Sequence, residues 1–182
     1  MNVQTRVAGL LKNPRAEWLV VAAERDGIQA IYRNYVSMLA AVPAVCLLLR
    51  LAEVAPATAL AVAISHYVAA LVSPLIAAVI LERLAPRFDS AGNTVQAFKL
   101  TAYASTPTWL AGVFYLFNAL TPLTVIGVLY AIYLFYLGLP VLMGTPPDRV
   151  VPFMVVAALV LVVLNIVLRS ITSTMGVPSY GL

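Results

Sequence analysis

Five apolar stretches, at about 35–52, 58–81, 99–118, 123–143 and 151–169, take up most of this chain of 182 residues. Each approaches the roughly 20 residues that a helix needs to cross the hydrocarbon of a bilayer. A segment of that length in hydrocarbon must satisfy its backbone N–H and C=O groups internally, and a helix does so. Composition agrees: the chain is 63% hydrophobic and 10% charged, with a mean hydropathy of +0.97, whereas a soluble domain carries about 25% charged residues. The reading is an all-α polytopic membrane protein, a bundle of five transmembrane helices preceded by amphipathic N-terminal helices. Residues 1–33 form a cytoplasmic amphipathic segment, 34–172 the membrane domain and 173–182 a short outer tail. Those first 33 residues lack the short basic start and apolar core of a cleavable signal, so the first span is expected to stay in the protein.

Orientation follows from the basic residues, which are retained on the cytoplasmic side in short loops. With the N-terminus inside, the inner segments hold Arg6, Lys12, Arg15, Arg25, Arg33, Arg83, Arg87, Lys99 and Arg149, nine of the 11 basic residues. Arg50 and Arg169 stand on the outer side at span ends, where a long stem can snorkel to head groups. The formal charge of +4 therefore reads as topology and as attraction to anionic lipid, with no nucleic-acid partner. The multi-pass chain is placed in a bacterial cytoplasmic (inner) membrane, with its C-terminus outside.

Before the first span, Val3, Val7, Leu10 and Leu11 repeat at helical spacing, and Asn13 followed by Pro14 caps a second short helix. Trp18 beside Arg15 either anchors this helix in the head-group plane or packs beneath the bundle. Arg6, Lys12, Arg15 and Arg25 are expected to face anionic lipid. The loop at 82–94 contacts lipid phosphates or a soluble partner, or is simply solvated. "NALTP" at 118–122 makes a tight turn that pairs the third and fourth spans as a hairpin. No internal repeat of an inverted-repeat transporter is present in the sequence.

Each span carries a proline in or beside it: Pro43, Pro74, Pro107, Pro140 and Pro152. An interior proline removes a helix hydrogen bond and frees a carbonyl, which neighbouring hydroxyls or water must satisfy. Ser105 and Thr106 directly precede Pro107, so two hydroxyls sit where loosened carbonyls need donors. The alternative is an unwound helix that forms a ligand or ion site. Tyr103, Tyr133, Tyr136 and Pro140 complete a polar cluster that either holds the hairpin or lines a small cavity.

Small residues recur every four positions in the second span, at Ala61, Ser65, Ala69, Ser73 and Ala77, and in the third at Ala104, Thr108 and Gly112. That spacing lets helix backbones approach closely in membranes. No Asp or Glu falls inside a span, which disfavours proton-driven transport. His66 is the one titratable candidate there, and alone it makes no metal site, since zinc wants four ligands. Cys46 is a lone small hydrophobe with no disulfide partner. With no phosphate loop, nucleophile elbow or carboxylate pair, neither an enzyme nor a cofactor is expected.

"LLKNPRAEW", "YRNYVSMLAAVPA", "AFKLTAYASTPTWLAGVF" and "LYAIYLFYLGLPVLM" followed by a Pro-Pro loop resemble the bacterial branch of the Yip-domain (Ypt-interacting protein) family across nearly the whole chain. The resemblance implies five spans and a cytoplasmic N-terminus. Eukaryotic relatives bind small GTPases and one another and carry a Gly-Tyr-three-residues-Pro signature in the third span. Here that signature falls on Ala102, Tyr103 and Pro107, with alanine for glycine. The acidic element that precedes the spans in many relatives is missing, which counts against GTPase binding.

Two functions are compatible with these residues. One is a membrane-organising scaffold or adaptor that associates with itself or with other membrane proteins through the small-residue ridges and the basic N-terminal helices. The other is a small-solute or ion transporter whose pathway passes the Pro107 kink, lined by His66, Ser105, Thr106 and the fourth-span tyrosines. The second requires a hydrated cavity with converging polar groups.

Overall fold

Polar caps and prolines divide the chain into its helices. A computed structural model describes residues 2–174, with side chains through residue 163 apart from residue 54. Most of the tail at 173–182 and the side chain of Arg169 thus lie outside the described residues. Asn2 accepts from the Gln4 N–H at 3.0 Å and starts α1, Val3–Lys12. Asn13 ends it and caps α2, Pro14–Ala23, through the Ala16 N–H. A side-chain oxygen at such a position satisfies one of the donors that a helix start leaves open.

Next come α3, Ile28–Ile31, one π turn, Tyr32–Val36, and α4, Ser37–Val54, which run together as one apolar rod. The chain reverses at Ala55, and Pro56 opens α5, Pro56–Leu84. A 3-10 turn, Ala85–Phe88, and Asp89 in the left-handed region (φ 53°) lead to Asn93, whose side chain accepts from Val95 and Gln96 to start α6, Thr94–Ala104. Then follow α7, Thr106–Ala111, two 3-10 turns, Gly112–Leu116 and Asn118–Leu123, α8, Thr124–Met143, and α9, Pro147–Thr174. Gly144 (φ 64°) ends α8 in a conformation that costs glycine little.

Every regular element among the described residues is helical. Three helical runs among them are long and apolar enough to cross a membrane: Ile28–Glu53, Pro56–Phe88 and Asn118–Met143. The other two expected spans differ in kind. α9 is a 28-residue helix. The third is no continuous helix, because it breaks at Ser105 and gives way to 3-10 turns at Gly112. Pro107 cannot continue the hydrogen-bond ladder, and Gly112 adds no side chain to hold it.

Glycines set the closest approaches. A Cβ on Gly112 would stand 2.4 Å from Cβ and 2.7 Å from Cα of Pro43, so the third apolar segment touches α4 backbone to backbone. A Cβ on Gly127 would meet the Pro107 carbonyl oxygen at 2.6 Å, which closes the seam between α7 and α8. Trp18 fills the space left by Gly138, where a Cβ would fall 2.8 Å from its ring.

Trp18 is therefore a core residue with no exposed surface, and of the two placements of the N-terminal helices the structure shows the packed one. The Tyr130 hydroxyl also bonds the Leu10 and Leu11 carbonyls at 3.2 and 3.0 Å, and so satisfies carbonyls that the end of α1 leaves open. The 82–94 loop is tied down as well. Ala91 N–H donates to the Met143 carbonyl at 2.7 Å, and Ser90 bonds Thr145 at 2.8 Å.

Candidate functional site

Arg6 was expected to face lipid, and the structure corrects this: only 3% of it is exposed. It lies between α1 and α2, where its guanidinium pairs with both Glu17 and Glu24. Gly9 makes room for this, since a Cβ there would collide with the Glu17 carboxylate. A buried cation persists only where paired charges and hydrogen bonds replace its hydration, and two carboxylates supply them. Lys12, Arg15 and Arg25 are exposed.

Lys99, on α6, is 1% exposed and donates to the Val21 carbonyl at 3.0 Å and to the Glu24 carbonyl. These are the last carbonyls of α2, which have no partner within the helix and carry the negative end of its dipole. Two cations and two carboxylates thus come together where the N-terminal pair of helices meets α6.

The cluster connects directly to the proline step. The Arg6 guanidinium lies 5.2 Å from the centre of the Tyr103 ring, in range of a cation–π attraction. Tyr103 meets Tyr35 edge-on, with ring centres 4.8 Å apart. The hydroxyls of Tyr35 and Thr106 lie 2.6 Å apart, and Thr106 donates to the Tyr103 carbonyl, also at 2.6 Å. That carbonyl is four residues before Pro107, so it is the one the missing N–H leaves open. Thr106 has one proton and gives it to Tyr103, so Tyr35 is the donor to Thr106.

The other hydroxyls of the step are committed in the same way. Ser105 donates to the Thr101 carbonyl at 2.8 Å, Thr108 to Ser105 at 2.6 Å, and Thr101 to Pro74 at 2.8 Å. Because Thr106 serves two partners, Thr106→Val is expected to cost about 2 kcal/mol and Tyr35→Phe about 1 kcal/mol. Thermal unfolding of the detergent-solubilised variants checks the order, and equal losses would contradict the assignment of the donor.

The structure does not assemble the residues expected to line a pathway. Tyr133 and Tyr136 are 42% and 47% exposed, and the ring contact of Tyr133 is with Tyr130 on its own helix. His66 stands against Tyr115, with ring centres 5.9 Å apart. Thr106 faces Tyr35, whereas Ser105 lines an apolar groove on another side of the segment. Pro140 is half-buried near the end of α8.

The small-residue rows divide. Ala104 and Gly112 are buried and Thr108 half-buried, so this row packs inside the chain. Ala61, Ser65, Ala69 and Ser73 are exposed and Ala77 half-buried, while α5 packs inward with Ala59, Ala63, Ala70, Pro74 and Ala78. The ridge on α5 therefore has no partner helix among the described residues of this chain; its inward face is the adjacent small-residue row.

Sequence reading missed Glu17, Glu24, Tyr35 and the capping role of Lys99. Glu17 and Glu24 lie seven residues apart, which puts them on one helix face, and this was the available signal.

Among the described residues the fold is all-helical, and three of its helical runs are long and apolar enough to cross a membrane, which marks a membrane protein of the helical class. The Yip1 domain matches residues 8–168, most of the chain, and the chain belongs to that family. Comparisons with curated proteins and with solved structures return no match.

Proposed function

We propose that this Yip1-domain protein is a non-enzymatic scaffold or adaptor of a bacterial cytoplasmic membrane that works through helix–helix association. The observation that carries this is the state of the Ser105–Thr106–Pro107 step. Its hydroxyls are committed to backbone carbonyls, and Gly127 closes the adjoining seam on the Pro107 carbonyl. The step therefore offers no polar lining to a solute.

α5 supplies the surface for association. Its outward face sets a bulky column, Leu60, Ile64, Val68 and Val72, beside the small column Ala61, Ser65, Ala69 and Ser73. Ridge beside groove is the pattern by which helices pack in lipid, where close contact replaces the hydrophobic effect. The partner is a second copy or another membrane protein. Exposed Lys12, Arg15 and Arg25 support an N-terminus inside, at anionic lipid of the cytoplasmic face, and a C-terminus outside.

Removing residues 1–25 is a poor test, because it takes Arg6 and Trp18 out of the core. Ser65→Leu combined with Ala69→Leu changes only the outward face. It is expected to lower recovery of the associated species roughly tenfold, about 1.4 kcal/mol of association, with the thermal midpoint unchanged. A protein that is monomeric in bilayers and recovers no membrane partner, with or without these substitutions, would overturn the proposal.

A further inference from the structure

An apolar groove of about 440 Å³ lies on the side of the Pro107 step away from Tyr35, between α5, α6, α7, α8 and α9. Its floor is small, formed by Ala77, Ala104, Thr108 and Ala131, and its rim is aliphatic, with Val128 on α8 and Val155 on α9. The floor is buried or half-buried and both rim residues are about half exposed, so the mouth opens outward between α8 and α9. Neither helix carries a charged residue near it: α8 has none at all, and α9 has none from Val150 through Val163. In a membrane protein that mouth faces hydrocarbon.

We propose that this groove holds one acyl chain of a bilayer phospholipid. Size separates this occupant from a helix of a second copy. The lining runs from Val128 to Phe135 on α8, about 10 Å at 1.5 Å per residue. A volume near 440 Å³ over that height leaves a cross-section of roughly 40 Å², between a third and a half of what a helix about 10–12 Å across needs. Chemistry separates it from a polar ligand. The hydroxyls that reach the groove, on Thr101, Ser105 and Thr108, donate to the carbonyls of Pro74, Thr101 and Ser105, and no charged side chain among the described residues lines it. An unfilled groove forfeits dispersion contacts on its whole lining, and a flexible chain restores them while its head group stays in the interface.

The test uses the full chain reconstituted in phosphatidylcholine vesicles with a trace of phosphatidylcholine bearing a diazirine at mid-chain. After illumination, mass spectrometry is expected to find labelling at Ala104, Ala131 and Val155 roughly fivefold above that at the outward-facing Leu129. Ala131→Phe should remove the excess. Ala158→Phe at the rim does the same work without touching the floor, should Ala131→Phe lower the thermal midpoint. Labelling spread evenly over α8 and α9 and unchanged by both variants overturns the proposal.

Discussion

Arg6→Ala is expected to lower stability by about 3–5 kcal/mol, which for a chain of this size moves the thermal midpoint down by roughly 10 °C. The loss comes chiefly from what remains. Glu17 and Glu24 would stand with no cation between them, and an uncompensated buried charge costs more than the pair itself contributes. The Tyr103 ring would also lose its cation. It follows that replacing all three, Arg6→Met with Glu17→Gln and Glu24→Gln, should regain most of the loss. Thermal unfolding in mild detergent checks both halves. A triple variant as unstable as Arg6→Ala would mean that the junction depends on charge rather than on filled volume.

Gly112→Ala comes next, at about 3 kcal/mol, the upper end of what overpacking costs. The added methyl group meets Cα of Pro43 at 2.7 Å, and a proline inside a helix has no rotamer by which to retreat. The two segments must move apart along their contact. Gly92→Ala is the control: the nearest atom to its Cβ is 3.4 Å away, and its cost is expected within about 0.5 kcal/mol. Thermal midpoints of the two variants that coincide would show that the Gly112–Pro43 approach does not limit packing.

The three long apolar runs of α4, α5 and α8 were legible because hydropathy over about 20 residues is a strong, local signal, and α8, at Thr124–Met143, falls within a residue of its expected bounds. The caps at Asn13 and the break at Pro107 were legible for the same reason, since each acts within one turn of its own position. Partners brought together from far apart were not. Arg6 reads in sequence as one more surface cation, and only the folding of α1 onto α2 reveals two carboxylates around it. Lys99 was counted toward topology, yet its ammonium ends on carbonyls 75 and 78 residues earlier. The four-residue ridge on α5 showed that some surface is built for close packing. It could not show that the inward face would be Ala59, Ala63 and Ala70, one step round the helix, which leaves Ser65 and Ala69 facing out. Tyr133 and Tyr136 failed for a similar reason, because α8 is apolar on all sides and its pattern does not say which side is buried.

Cross-linking from the outward face of α5 in native membranes tests the central claim most directly. With Cys46→Ala as background, a thiol-anchored photocross-linker is placed at Ala69→Cys and, for comparison, at Leu129→Cys on the exposed side of α8. The account predicts discrete protein adducts from position 69, to a second copy or to a specific membrane protein, and lipid adducts alone from position 129. Lipid adducts alone from both positions would contradict it.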